Sequence, residues 1–127
     1  MLAKTRTGHN VSQSLGVVGD VAGKTCVLVD DMIDTAGTIC GAAEVLMERR
    51  AERVIVLATH PVLSDPACER LEKAPIEKVV VTNTLPLPAG CDLDKIEVVS
   101  IAPIVASTMK AIFEDESVSE LFDDQNQ

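Results

Sequence analysis

Cys26-Val27-Leu28-Val29-Asp30-Asp31-Met32-Ile33-Asp34-Thr35-Ala36-Gly37-Thr38 is the stretch around which the chain is arranged. Its apolar run, Cys26 to Val29, has the continuous hydrophobicity of a parallel strand buried on both faces. The run ends in two carboxylates, Asp30 and Asp31. A small-residue turn follows, and then a helical pattern begins. Ligands in open α/β sheets sit at the carboxyl ends of strands, so the acids fall at the expected mouth of a site. Asp34, Thr35, Ala36, Gly37 and Thr38 line a strand-to-helix turn. The unpaired N–H groups of a helix start favour a phosphate. Gly37 lets the backbone approach it, and the threonine hydroxyls add hydrogen bonds. The acid pair suits sugar hydroxyls or a magnesium ion, which prefers oxygen ligands. A sugar phosphate carries both kinds of group. The plainer alternative is that Asp34 or Thr35 caps the helix and the acids are simply solvated.

Downstream, the pattern alternates. Ile39, Ala42, Ala43, Leu46 and Met47 recur at helical spacing, predicting a helix from about Ala36 to Arg50. Val54 to Thr59 reads as a second buried strand, closing at His60-Pro61, where His60 serves either the loop or a substrate. Ser64-Asp65-Pro66 predicts a capped helix start, with an end near Ala74-Pro75. Glu77 to Thr82 is a third strand, residues 85–94 are a Pro- and Gly-punctuated loop, and Ile96 to Ser100 is a fourth strand. Ile101 to Phe113 is helical, with Ile101, Ile104, Val105, Thr108 and Ile112 on one face. This alternation predicts an α/β fold: a doubly wound, mainly parallel sheet with helices on both faces.

Composition narrows the function classes. The chain has 127 residues, enough for one domain, and 46% of them are hydrophobic. It holds two Phe and no Trp or Tyr, which disfavours base-stacking nucleic-acid modules. Net charge is −9, but six acids lie in residues 114–127, and subtracting them leaves −3. An acidic balance also disfavours nucleic acid. The cysteines at 26, 40, 68 and 91 lack zinc-site spacing, and Cys26 and Cys40 read as core thiols. No apolar run is long enough to span a membrane, so the default location is the cytoplasm. Gly19 to Thr25 superficially suggests a P-loop. It is one residue short, and its Gly-Lys-Thr precedes a strand rather than a helix.

Residues 27–38 resemble the phosphoribosyl pyrophosphate (PRPP) binding motif shared by type I phosphoribosyltransferases and PRPP synthetases. The Asp-Thr-Ala-Gly-Thr ending favours the synthetases (ribose-phosphate diphosphokinases). Upstream, Lys4, Arg6 and Asn10 match the order of that family's flexible catalytic loop, with Thr5 where many members have a second Arg. By composition alone, this segment reads as a frayed terminus. Near the other end, Glu-Ser-Val-Ser followed by Leu-Phe resembles the C-terminus of class I synthetases.

The resemblance implies that Asp30, Asp31, Asp34, Thr35, Ala36, Gly37 and Thr38 bind ribose 5-phosphate. Asp30 and Asp31 would also hold Mg²⁺, while Lys4 and Arg6 would stabilise the transferring phosphoryl groups. It implies an allosteric role for Ser117, Ser119 and Phe122, and homo-oligomers in the full-length form. The reaction would pass a diphosphoryl group from ATP to ribose 5-phosphate, giving PRPP and AMP. The expected organisation is a catalytic loop and lead-in (1–25), a phosphoribosyltransferase-like domain (26–115) and an acidic tail (116–127). No stretch matches the family's N-terminal ATP-binding half. The chain therefore reads as a C-terminal portion, an incomplete domain that is inactive alone. The alternatives are a phosphoribosyltransferase that consumes PRPP and a non-catalytic associated or regulatory subunit.

Overall fold

The computed structural model describes residues 2–4, 15–17, 19–115 and 117–118. Its elements, in chain order, are β1 (Leu2–Lys4), β2 (Leu15–Val17), β3 (Thr25–Ile33), α1 (Gly37–Glu48), β4 (Arg53–Pro61), α2 (Ala67–Lys73), β5 (Lys78–Thr82), β6 (Ile96–Val99) and α3 (Ala102–Phe113). β3, β4, β5 and β6 form one parallel sheet in that spatial order. β1 and β2 pair separately as an antiparallel ladder, with Leu2 opposite Val17 and Lys4 opposite Leu15. That ladder lies where composition suggests a frayed lead-in. It brackets residues 5–14, so Arg6 and Asn10 fall outside the described residues.

The α/β class and the parallel sheet are as the sequence predicts. Cover on both faces is not seen among the described residues, and the reason is topological. Each parallel crossover advances one strand in the same direction without a reversal of order. Right-handed connections of that kind deliver successive helices to the same face. On that face Val54, Val56, Val79 and Val81 meet Ile39, Ala43, Leu46 and Leu71, all buried. Fully burying such a side chain stabilises by about 1.5–3 kcal/mol. On β3, Val27 and Val29 are 53% and 75% exposed.

α3 departs from its expected packing too. Its apolar stripe is present, but Ile104 is 55% and Ile112 61% exposed, and only Ala111 of the helix is buried. The start of α2 differs as well. The helix begins at Ala67, one residue after a cis Asp65-Pro66 bond, and no side chain caps it. Its other end is held firmly: the Lys95 ammonium donates to the carbonyls of Leu71, Glu72 and Ala74 at 2.9, 3.2 and 3.1 Å. A disulfide joins Cys68 of α2 to Cys91 in the β5–β6 loop, across a sequence separation of 23. The rejected P-loop is a turn into β3: Gly23 has φ +68°, and Lys24 Nζ donates back to the Asp20 carbonyl at 2.9 Å.

Candidate functional site

β3 runs four residues further than its apolar stretch. The ladder to β4 continues through Asp30 opposite Ala58, Met32 opposite His60 and Ile33 opposite Pro61. Asp30 and Asp31 therefore lie within the strand, not beyond its end, which corrects their expected placement. Successive side chains on a strand point to opposite faces, so the two carboxylates diverge. Both are exposed, and Asp30 Oδ1 accepts the Asp31 backbone N–H at 2.9 Å.

A cleft of about 270 Å³ opens where β3 passes into α1. Asp30, Asp34, Thr35, Ala36, Gly37 and Thr38 line it, together with Met32, Ile33 and Ile39. Six of the seven residues singled out from the motif thus face one space, and Asp31 does not line it. Asp30 also borders a second, largely apolar groove of about 290 Å³ on the sheet, formed with Val29, Leu57, Val80 and Val99.

The turn itself has two features that bear on anion binding. Neither Asp34 nor Thr35 caps α1: no side chain bonds to its first amides, and no acid lies in its first turn. The plainer reading of these residues as a helix cap is therefore not what forms. Uncapped amides and the positive end of the helix dipole are what an anion needs. The second feature is Ala36, which sits in the left-handed region at φ 59°, ψ 2° and is buried. For a residue with a Cβ that conformation costs about 1–2 kcal/mol and calls for support from its surroundings. Gly37 does not need positive φ. Its lack of a side chain leaves room: a Cβ there would lie 3.3 Å from Arg70 Nη1.

Arg70 escaped sequence reasoning. From α2 its Nη1 donates to the Thr35 carbonyl at 2.9 Å, across 35 residues of chain. The Cys68–Cys91 pairing was also missed. Cys40, expected as a core thiol, is buried. Burial, and secondarily Glu44, push its thiol pKa up, with Arg70 and Lys95 opposing.

His60 is engaged structurally. Its Nδ1 lies 2.9 Å from Thr84 Oγ1, and the Thr84 hydroxyl donates to the Thr59 carbonyl at 3.1 Å. Thr82 Oγ1 donates to the same carbonyl at 2.6 Å. These bonds tie the carboxyl ends of β4 and β5 together.

Asp30 and Asp31 have the hard oxygen donors that magnesium takes. Among the described residues, no group of three or more His, Cys, Asp or Glu side chains is arranged to hold a metal. Magnesium often binds through one or two carboxylates plus substrate oxygens, and Asp30 in the cleft fits that mode. Ser117 is exposed, and Ser119 and Phe122 lie outside the described residues. No helix among the described residues is long and apolar enough to cross a membrane.

A family model described as the phosphoribosyl synthetase-associated domain matches residues 6–123. The ribose-phosphate pyrophosphokinase of Streptomyces avermitilis is 58% identical over 109 residues, covering 86% of this chain and 34% of the relative. That of Bifidobacterium longum is 56% identical over 122 residues, covering 94% and 36%. The crystal structure of phosphoribosylpyrophosphate synthetase from Mycobacterium smegmatis superposes with a TM-score of 0.77 at 50% identity, covering 90% of this chain and 36% of that one. The chain thus spans about a third of the length of the relatives it matches.

Proposed function

Because this chain belongs to the phosphoribosyl synthetase-associated domain family, we propose that it supplies the ribose 5-phosphate half-site of a PRPP synthetase. The 5-phosphate sits on the uncapped start of α1, taking backbone N–H groups of the 34–38 turn and the hydroxyls of Thr35 and Thr38. Asp30, which shares the cleft with the turn, binds the ribose hydroxyls, directly or through Mg²⁺, and Asp31 on the other face of β3 takes no part in that contact. When bound, that ion neutralises charge on the diphosphoryl group. The anomeric hydroxyl oxygen forms a bond to the β-phosphorus of ATP and gives up its proton to solvent water. The bond from that phosphorus to the α–β bridging oxygen breaks, and AMP leaves. Lys4 and Arg6 close over the phosphoryl oxygens, where catalysis is mostly positioning and electrostatics.

One observation supports this reading above the others: a helix start that no side chain caps shares a cleft with Asp30. The ATP site belongs to segments outside this chain, so the chain alone binds the acceptor and does not turn over. The proposed setting is that of a full-length synthetase, a cytoplasmic homo-oligomer in which Ser117, Ser119 and Phe122 contribute to an allosteric site. The match to an associated domain favours one second reading, a non-catalytic subunit that docks on complete synthetase.

The test is a calorimetric titration of ribose 5-phosphate with Mg²⁺, run beside the Gly37→Val/Asp34→Ala double variant. Saturable binding is expected, weakened about a hundredfold or more in the variant. Equal binding by both chains would place the sugar phosphate elsewhere. AMP released from ATP and ribose 5-phosphate by the purified chain would overturn its inactivity. Co-elution with intact synthetase, with no ribose 5-phosphate binding of its own, would favour the second reading.

A further inference from the structure

The geometry points to Arg70 as the positioning residue that holds the phosphate turn in its strained shape. The inference rests in part on the sugar-phosphate reading above, and it starts from the peptide between Thr35 and Ala36. Ala36 is in the left-handed region, is not glycine, and is the N-cap of α1. Rotating the 35–36 peptide is the simplest way for it to relax. Arg70 Nη1 donates to the Thr35 carbonyl of that same peptide at 2.9 Å, a charge-assisted bond. On its other side, the Ala36 carbonyl accepts the Cys40 N–H at 3.0 Å, the first turn of α1. The strained residue is thus held at both flanking peptides, and only the Arg70 hold comes from another element.

Arg70 is well placed to act as a fixed post. Cys68, two residues earlier, is tied to Cys91, and Lys95 secures the carboxyl end of α2. Leu71, next to Arg70, is fully buried. The guanidinium also stands where a Gly37 side chain would project, at 3.3 Å from its ideal Cβ. Gly37 and Arg70 therefore make a matched pair: the glycine leaves the space that the guanidinium fills. The Arg70 side chain makes no other hydrogen bond or ion pair among the described residues, so its positive charge is not neutralised beside the turn.

The test compares Arg70→Ala and Arg70→Lys with the parent chain, first without ligand. Amide hydrogen exchange at Cys40 reports whether Ala36 keeps its conformation, and the amides of Ala43 and Leu46 report on α1 as a whole. Arg70→Ala is expected to speed exchange at Cys40 about tenfold, leaving Ala43 and Leu46 unchanged. Arg70→Lys, which keeps a charged donor, restores part of the protection. Ribose 5-phosphate titration of the same three chains is expected to show about tenfold weaker binding for Arg70→Ala and partial recovery for Arg70→Lys. Unchanged Cys40 exchange in Arg70→Ala overturns the inference, whatever the chain binds. Faster Cys40 exchange in Arg70→Ala, alongside a parent chain that binds no sugar phosphate, leaves the clamp standing and removes the proposed site. A uniform loss of protection throughout α1 would mean Arg70 serves general stability, which also overturns the inference.

Discussion

α1 and α3 are both twelve residues long, and both follow a strand of the same parallel sheet. Their starts are built in opposite ways. At α3 the Ile101 N–H is taken by Asn83 Oδ1 at 3.0 Å and the Ala102 N–H by Ser100 Oγ at 3.2 Å. Pro103 then has no N–H to offer. At α1 no side chain reaches the first amides, and Arg70, reaching in from α2, binds a carbonyl and adds positive charge. The same element end therefore serves as a finished joint in one place and as an open donor set in the other. Neither N-cap residue, Ile101 or Ala36, carries a side-chain oxygen. At α3 the oxygens come from Ser100 beside the N-cap and from Asn83 18 residues upstream, whereas at α1 those of Asp34 and Thr35 do not reach the first amides.

Four measurements break or sharpen this contrast. The largest effect is expected from Leu71→Ala, which removes the buried side chain seating α2. Urea unfolding should show a loss of about 2–5 kcal/mol, while Ile112→Ala on exposed α3 changes stability by no more than about 0.5 kcal/mol. Reducing the Cys68–Cys91 bond opens a loop of intermediate length and should cost about 3 kcal/mol, read as a lower thermal midpoint that Cys68→Ser reproduces. Asn83→Ala should cost about 1 kcal/mol by leaving the Ile101 N–H at the entry to α3 without its partner, and leave ribose 5-phosphate affinity unchanged. Thr35→Asp inverts that pattern: stability holds, and affinity falls because a carboxylate now faces the phosphate. If Asn83→Ala also weakened ligand binding, the two helix starts would not be separable.

The smallest effect concerns Cys40. Its folded thiol pKa is raised, chiefly by burial, above the ordinary 9.0. The folded state therefore holds its proton more tightly than the unfolded chain does. The resulting stabilisation is complete below pH 9 and is lost as pH rises towards the folded value. Thermal midpoints across pH 8–11 should fall less steeply in Cys40→Ala than in the parent, relative to each chain's own value at pH 8.

Much of this arrangement is legible in the sequence because it is local. The apolar runs at Val27–Val29, Val54–Leu57 and Val79–Val81 are strands in the structure, and the small-residue turn after Ile33 forms as its residues suggest. What escapes is set by partners distant in the chain. Asp30 to Ile33 extend β3 because β4 offers a ladder to pair with, which overrides the poor strand preference of aspartate. Arg70 looks like one more charge on a short amphipathic helix, and nothing near it marks a carbonyl 35 residues upstream as its partner. The stripe on α3 has the period of a core face, yet periodicity reports only that a face is apolar. It does not report whether anything lies against that face.

The grip of Lys95 on the end of α2 also has a use at the bench. Three carbonyls surround that one ammonium, so an acylating reagent must wait for α2 to lift before it finds a free amine. Lys73, on the solvent side of the same helix, is paired among the described residues only with Glu69 one turn earlier and needs no movement of α2 to react. The ratio of label on the two lysines, followed over time by mass spectrometry, is then a clock for the undocking of α2.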